Sequence, residues 1–131
     1  MVKKLAVAGI MLATLLSCKM ENPLLTESKL PYGAPAFDKI ENEHYKPAFE
    51  AAIAEGKAEI DAIINNPEAP TFENTIEAME YAGGKLGDVA GIFYALMSAN
   101  TNDQMQAIAQ ELSPMLNEYS MYISLNDKLF Q

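Results

Sequence analysis

A chain of 131 residues, 50% hydrophobic and 21% charged with 7 Gly and 7 Pro, fits at most one ordinary globular domain. That profile excludes a collagen-like, low-complexity or fully disordered polymer. Nine basic residues, all Lys, stand against 18 acidic ones for a net charge of −9. So negative a field, with no Arg to fork onto phosphate, speaks against nucleic acid as a partner. One Cys allows no internal disulfide, and one His excludes a metal site built from several imidazoles.

The amino end is expected to be processed rather than folded. Residues 1–17 carry Lys3 and Lys4, an apolar run from Leu5 to Leu16, then Ser17. The run is long enough to enter the export machinery but too short to span a bilayer of roughly 30 Å, so a signal peptide is preferred over a transmembrane helix. Leu15-Leu16-Ser17-Cys18 is similar to the bacterial lipoprotein signal, in which the Cys is lipidated and becomes the new amino terminus. The plainer alternative is an ordinary signal peptide followed by a free Cys. That the sole Cys falls where the lipid signal needs it favours lipidation at Cys18. The expected product is exported and anchored in a membrane, facing the periplasm or the cell exterior. Residues 18–38, with Pro23, Pro31, Gly33 and Pro35, read as an extended tether that begins to dock near Phe37.

An all-α body is expected over residues 39–131. Tyr45, Phe49, Ala52, Ile53, Gly56, Ile60, Ile63 and Ile64 recur in steps of three and four, which predicts a helix from about Glu43 to Asn65. Pro47 should fall in its first turn, and Asn65-Asn66-Pro67 should end it. A second helix is expected from Thr71 as N-cap, with Glu73 in its first turn and a stripe of Phe72, Ile76, Met79, Gly83, Leu86, Ala90, Phe93 and Met97. Gly83, Gly87 and Gly91 share one face of that helix, where another backbone is expected to approach closely. Gly84-Lys85 is followed by Leu86 rather than Ser or Thr, which rejects a phosphate-binding loop. The residues 100–103 cap a third helix that carries Met105, Ile108, Leu112, Met115, Tyr119, Tyr122 and Leu129. Pro114 inside it predicts a kink, or a restart capped by Ser113. No strand alternation and no internal repeat is visible.

Catalytic patterns fail one by one. His44 is followed by Tyr45, so the two imidazoles of H-E-x-x-H are missing, and an acylated Cys18 would leave His44 no nucleophile to activate. His44 reads as a polar residue at a helix start. The pairs Glu41/Glu43 and Glu77/Glu80 read as solvated faces, and the methionines as core filler. No catalytic, cofactor-binding or metal residue is assigned.

Four blocks in order add a resemblance. Residues 30–40 (Leu-Pro-Tyr-Gly-Ala-Pro-Ala-Phe-Asp-Lys-Ile) lead into 43–50 (Glu-His-Tyr-Lys-Pro-Ala-Phe-Glu), then 66–76 (Asn-Pro-Glu-Ala-Pro-Thr-Phe-Glu-Asn-Thr-Ile) and 100–103 (Asn-Thr-Asn-Asp). The stretch 22–131 resembles the amino-terminal region of bacterial peptidyl-dipeptidases of the thimet-oligopeptidase-like zinc metallopeptidase family. The resemblance implies a mostly helical enzyme that releases dipeptides from peptide carboxyl ends. It also implies that the zinc ligands lie downstream of anything present here, and that these helices wall a channel for unfolded peptides. On that reading the chain is an incomplete helical domain, inactive alone, whose partners are the membrane through Cys18, the missing carboxyl-terminal part and, in the complete enzyme, peptides. The alternative is a free-standing lipid-anchored helical interaction module.

Overall fold

The computed structural model describes residues 21–130; Cys18 and the leader 1–17 lie outside the described residues. Among the described residues every regular element is helical: α1 (Asn42–Ile64), α2 (Ala78–Tyr81), α3 (Gly84–Asn100) and α4 (Asp103–Ser124), with short 3-10 turns at Pro31–Gly33 and Phe37–Lys39. The all-α expectation and the three long helices are therefore seen.

Side-chain pairings set the arrangement. The Gly83 N–H reaches Glu59 while Phe93 stacks on Tyr45 and Phe49, so α3 runs antiparallel to α1. Asn42 meets Gln104, Lys46 meets Glu111, Lys57 meets Glu118 and Asp61 meets Tyr122, so α4 runs parallel to α1. Helix α1 is the shared wall, and it buries Tyr45, Ala48, Phe49, Ala52, Ile53, Gly56 and Ile60. Facing these are Leu86, Val89 and Phe93 of α3, and Met105, Leu112 and Tyr119 of α4. Phe93 is the hub: its ring lies edge-on to Tyr45 at 4.8 Å and to Phe49 at 5.6 Å, geometries that add to the burial of its area.

The caps follow the sequence. The Asn102 side chain accepts from Met105 N–H at 2.9 Å, and Thr71 and Asn74 exchange side-chain and backbone bonds at 3.1 and 2.8 Å. Helix α1 starts one residue earlier than the expected Glu43, because His44 Nδ1 accepts the Glu41 N–H at 3.0 Å and fixes the first turn. Pro47 consequently lies beyond that turn, and the Glu43 carbonyl loses its intrahelical donor.

Four expectations are corrected. The second helix is not continuous: residues 72–77 form a π-helical turn, α2 follows, and Gly83 at φ 79° breaks the path before α3. The left-handed conformation is open to Gly at little cost, and the Glu59 carboxylate holds its N–H at 2.7 Å. The glycine face does not receive a backbone, since a Cβ at Gly87 or Gly91 would meet nothing within 4 Å. Close approach occurs instead at Gly56, where a Cβ would lie 3.0 Å from Tyr119 Cζ and overlap its hydroxyl. Helix α4 runs through Pro114 without the restart capped by Ser113. Docking of the leading segment begins at Leu24, which is buried in the core, well before Phe37, which is 52% exposed.

Candidate functional site

Among the described residues, His44 is already engaged as a cap and the paired glutamates are solvated. His44 uses Nδ1 as a capping acceptor for the Glu41 N–H. Glu41, Glu43, Glu77 and Glu80 are all exposed. Hydrogen bonds from the backbone and then from Gln104 hold the Glu43 carboxyl below the usual range, the opposite of what a general acid needs. No group of three or more His, Cys, Asp or Glu side chains converges among the described residues. Among the described residues these side chains do not fit a zinc centre.

The most structured polar locus lies where α1, α4 and the Gly83 break meet. Tyr119 is 8% exposed and its hydroxyl, wedged between Gly56 and Gly83, has no hydrogen-bond partner. Burial, and then the neighbouring Glu59 charge, push its phenol pKa up. Beside it the Tyr122 hydroxyl donates to Asp61, and the Lys57 ammonium lies 2.9 Å from Glu118 and 5.3 Å from the centre of the Tyr122 ring. The sequence marked Tyr119, Tyr122 and Gly56 only as stripe positions. Nothing in their spacing signals the junction, because it is built from three separate helices.

Beyond that junction, α2 covers the end of α1 incompletely. A cleft of about 290 Å³ lies between Glu59, Ala62 and Ile63 on one side and Ala78, Tyr81 and Ala82 on the other. Phe72, Ile76 and Tyr81 are 66%, 54% and 73% exposed, and Met121 and Leu125 stand out at the same end, near the close of α4. The Phe72, Ile76 and Tyr122 positions of the predicted stripes thus do not enter the core. The carboxylate of Glu59 in this cleft already accepts the Gly83 N–H, and the remaining exposed surface of this end is largely apolar, suited to packing.

The described residues thus form a helical packing unit, with a built core and an apolar end left open. By sequence this stretch belongs to the dipeptidyl carboxypeptidase and oligopeptidase A family of peptidases. No family model matches the chain. It is 45% identical over 109 residues to the dipeptidyl carboxypeptidase of Salmonella typhimurium, a match covering 83% of this chain and 16% of that protein. The Escherichia coli dipeptidyl carboxypeptidase is 46% identical over 109 residues, with the same shares covered. Oligopeptidase A of Salmonella typhimurium is 27% identical over 111 residues, 85% of this chain and 16% of its own length. The chain therefore spans 16% of the length of these curated relatives, and the family resemblance read from the four ordered blocks agrees with them.

Proposed function

We propose that this chain is the helical amino-terminal part of a zinc-dependent peptidyl-dipeptidase, an enzyme that releases dipeptides from the carboxyl ends of peptides. Its own contribution is to pack against the catalytic part and help enclose the peptide, not to supply the zinc ligands or the base. The observation that carries this reading is the 45% identity along 83% of the chain to a protein of which it covers 16%. The exposed Phe72, Ile76 and Tyr81 support it, since a packing face of that kind fits a neighbouring body of the same enzyme. The decisive experiment reads the coding DNA past the Gln131 codon. An in-frame continuation that reaches H-E-x-x-H supports the proposal. A stop codon there, together with a stable monomer that binds no hydrophobic dye, overturns it in favour of a free-standing lipid-anchored module.

The same proposal includes export and membrane attachment through Cys18, supported by Leu15-Leu16-Ser17-Cys18. No described helix is long and apolar enough to cross a membrane, and attachment on this reading is through acyl chains on Cys18. The full chain is expected in the membrane fraction, and Cys18→Ser is expected to leave it unacylated. A Ser variant that still partitions with membranes in high salt would refute the lipid signal.

A further inference from the structure

The segment between the Cys18 anchor and α1 is fixed to the body close to its start. The Asn22 side-chain amide donates to the His44 carbonyl at 2.8 Å, its oxygen accepts the Leu24 N–H at 3.0 Å, and Leu24 is 7% exposed in the core. Even fully extended, the chain from Cys18 to Leu24 reaches only about 22 Å. An acylated Cys18 therefore holds this side of the body within that distance of the lipid.

Past Leu24 the chain closes into a small loop. Ser28 Oγ donates to the Ala34 carbonyl and accepts the Leu30 N–H at 3.3 Å, and the Gly33 N–H bonds the Leu30 carbonyl at 3.1 Å. Ser28, Gly33 and Pro35 at its base line one cleft with Pro23 and Leu24, so the loop sits beside the anchored stretch of chain. At its tip Tyr32 has φ 61° and is fully exposed, and Leu30 and Phe37 are about half exposed. A tyrosine in the left-handed region costs conformational energy, and among the described residues it gains no packing in return. Lys29 and Lys39 lie in this segment together with Asp38, between Glu27 and Glu41, and Lys39 shares a cleft with Glu21 and Glu41.

We propose that Leu30, Tyr32 and Phe37 form a membrane-contacting surface that rests at the headgroup boundary of the bilayer into which Cys18 is anchored. Tyr32, an apolar ring with a polar hydroxyl, favours that depth, and Leu30 and Phe37 add apolar area to it. The far side of the cleft at the base of the loop is formed by Lys85, Asp88 and Ile92, so the loop lies along α3.

The inference rests on the anchoring reading, and one experiment separates the two. The chain has no Trp, so Phe37→Trp and, as a control, Met121→Trp each introduce a single indole fluorophore. The full-length products, purified from membranes and with Cys18 acylation checked by mass, are placed in phosphatidylcholine vesicles with and without brominated acyl chains. Bromine is expected to lower the emission of the Phe37→Trp protein roughly twofold or more and to leave that of the Met121→Trp protein unchanged, as interfacial burial of one ring and not the other requires. Acylated, vesicle-bound Phe37→Trp protein that is not quenched overturns the surface while leaving the anchor standing. The same holds if its emission is blue-shifted yet unquenched, which would mean that protein covers the indole instead of lipid. Absence of acyl chains on Cys18 overturns the anchor, and this inference with it.

Discussion

Gly56→Ala sets two effects against each other at one atom. In an exposed helix the change gains about 1 kcal/mol, because Ala orders its backbone more cheaply than Gly. In α1 the new methyl would lie 3.0 Å from Tyr119 Cζ and 3.3 Å from a ring-edge carbon, and would overlap the hydroxyl. Tyr119 has little room to yield, because its hydroxyl is also 2.9 Å from where a Cβ on Gly83 would stand. Overpacking of this kind costs about 1–3 kcal/mol, so the net expectation is a loss of about 1 kcal/mol. For a body of this size that lowers Tm by about 4–8 °C in a far-ultraviolet circular dichroism melt. Tyr119→Phe removes a buried hydroxyl that has no partner, and is expected to be neutral or to gain about 1 kcal/mol. In the double variant it should recover part of the Gly56→Ala loss, since only the ring contact remains. Gly87→Ala and Gly91→Ala, which meet nothing, should each raise stability by about 0.5–1 kcal/mol. A Gly56→Ala protein as stable as Gly87→Ala would refute the reasoning, because propensity alone would then govern both sites.

Phe93→Ala, at a ring that is 0% exposed and edge-on to Tyr45 and Phe49, is expected to cost about 3–5 kcal/mol in urea unfolding; a loss under about 1 kcal/mol would displace Phe93 from the centre of the core. Burial raises the Tyr45 and Tyr119 phenol pKa values, and the Asp61 hydrogen bond raises that of Tyr122. Between the ordinary tyrosine value of about 10 and these raised values the folded protein keeps protons that the unfolded chain has lost, so stability is intact below about pH 10 and falls as pH rises further. Tyrosinate absorbance that develops entirely in the ordinary range with no loss of helix would contradict this. For Glu43 the sign reverses: its lowered pKa contributes stability above the usual carboxylate range that is lost as pH falls, and Gln104→Ala should weaken that acid dependence in a pH series of melts. Finally, the exposed apolar end predicts dye binding and concentration-dependent association in size exclusion, both reduced by Phe72→Ser with Ile76→Ser; a dye-silent monomer would count against an unfinished packing face.

Local structure was legible in the order of residues. Steps of three and four marked the buried side of α1, from Tyr45 and Phe49 to Ile60, and Thr71 and Asn102 lay where short polar caps satisfy free helix N–H groups. These are near-neighbour properties, set within one or two turns, so they are legible in a string. Four ordered blocks carried the family for a related reason: each spans a turn or a helix start whose residue choice is local. The break at Gly83 was not legible there, because a stripe from Phe72 to Met97 stays in phase whether or not the helix is continuous, and the break is held by Glu59 of another helix. Tertiary packing also sets which glycine is approached: Gly87 and Gly91 face solvent while Gly56 receives Tyr119, a contact that depends on α1 and α4 running parallel. Leu24 joining the core, Val89 filling the space beside Phe93, and Phe72 and Ile76 left outside it have the same cause. Periodicity says which side of a helix is apolar, but which parts of that side are covered depends on what the rest of the chain brings against it.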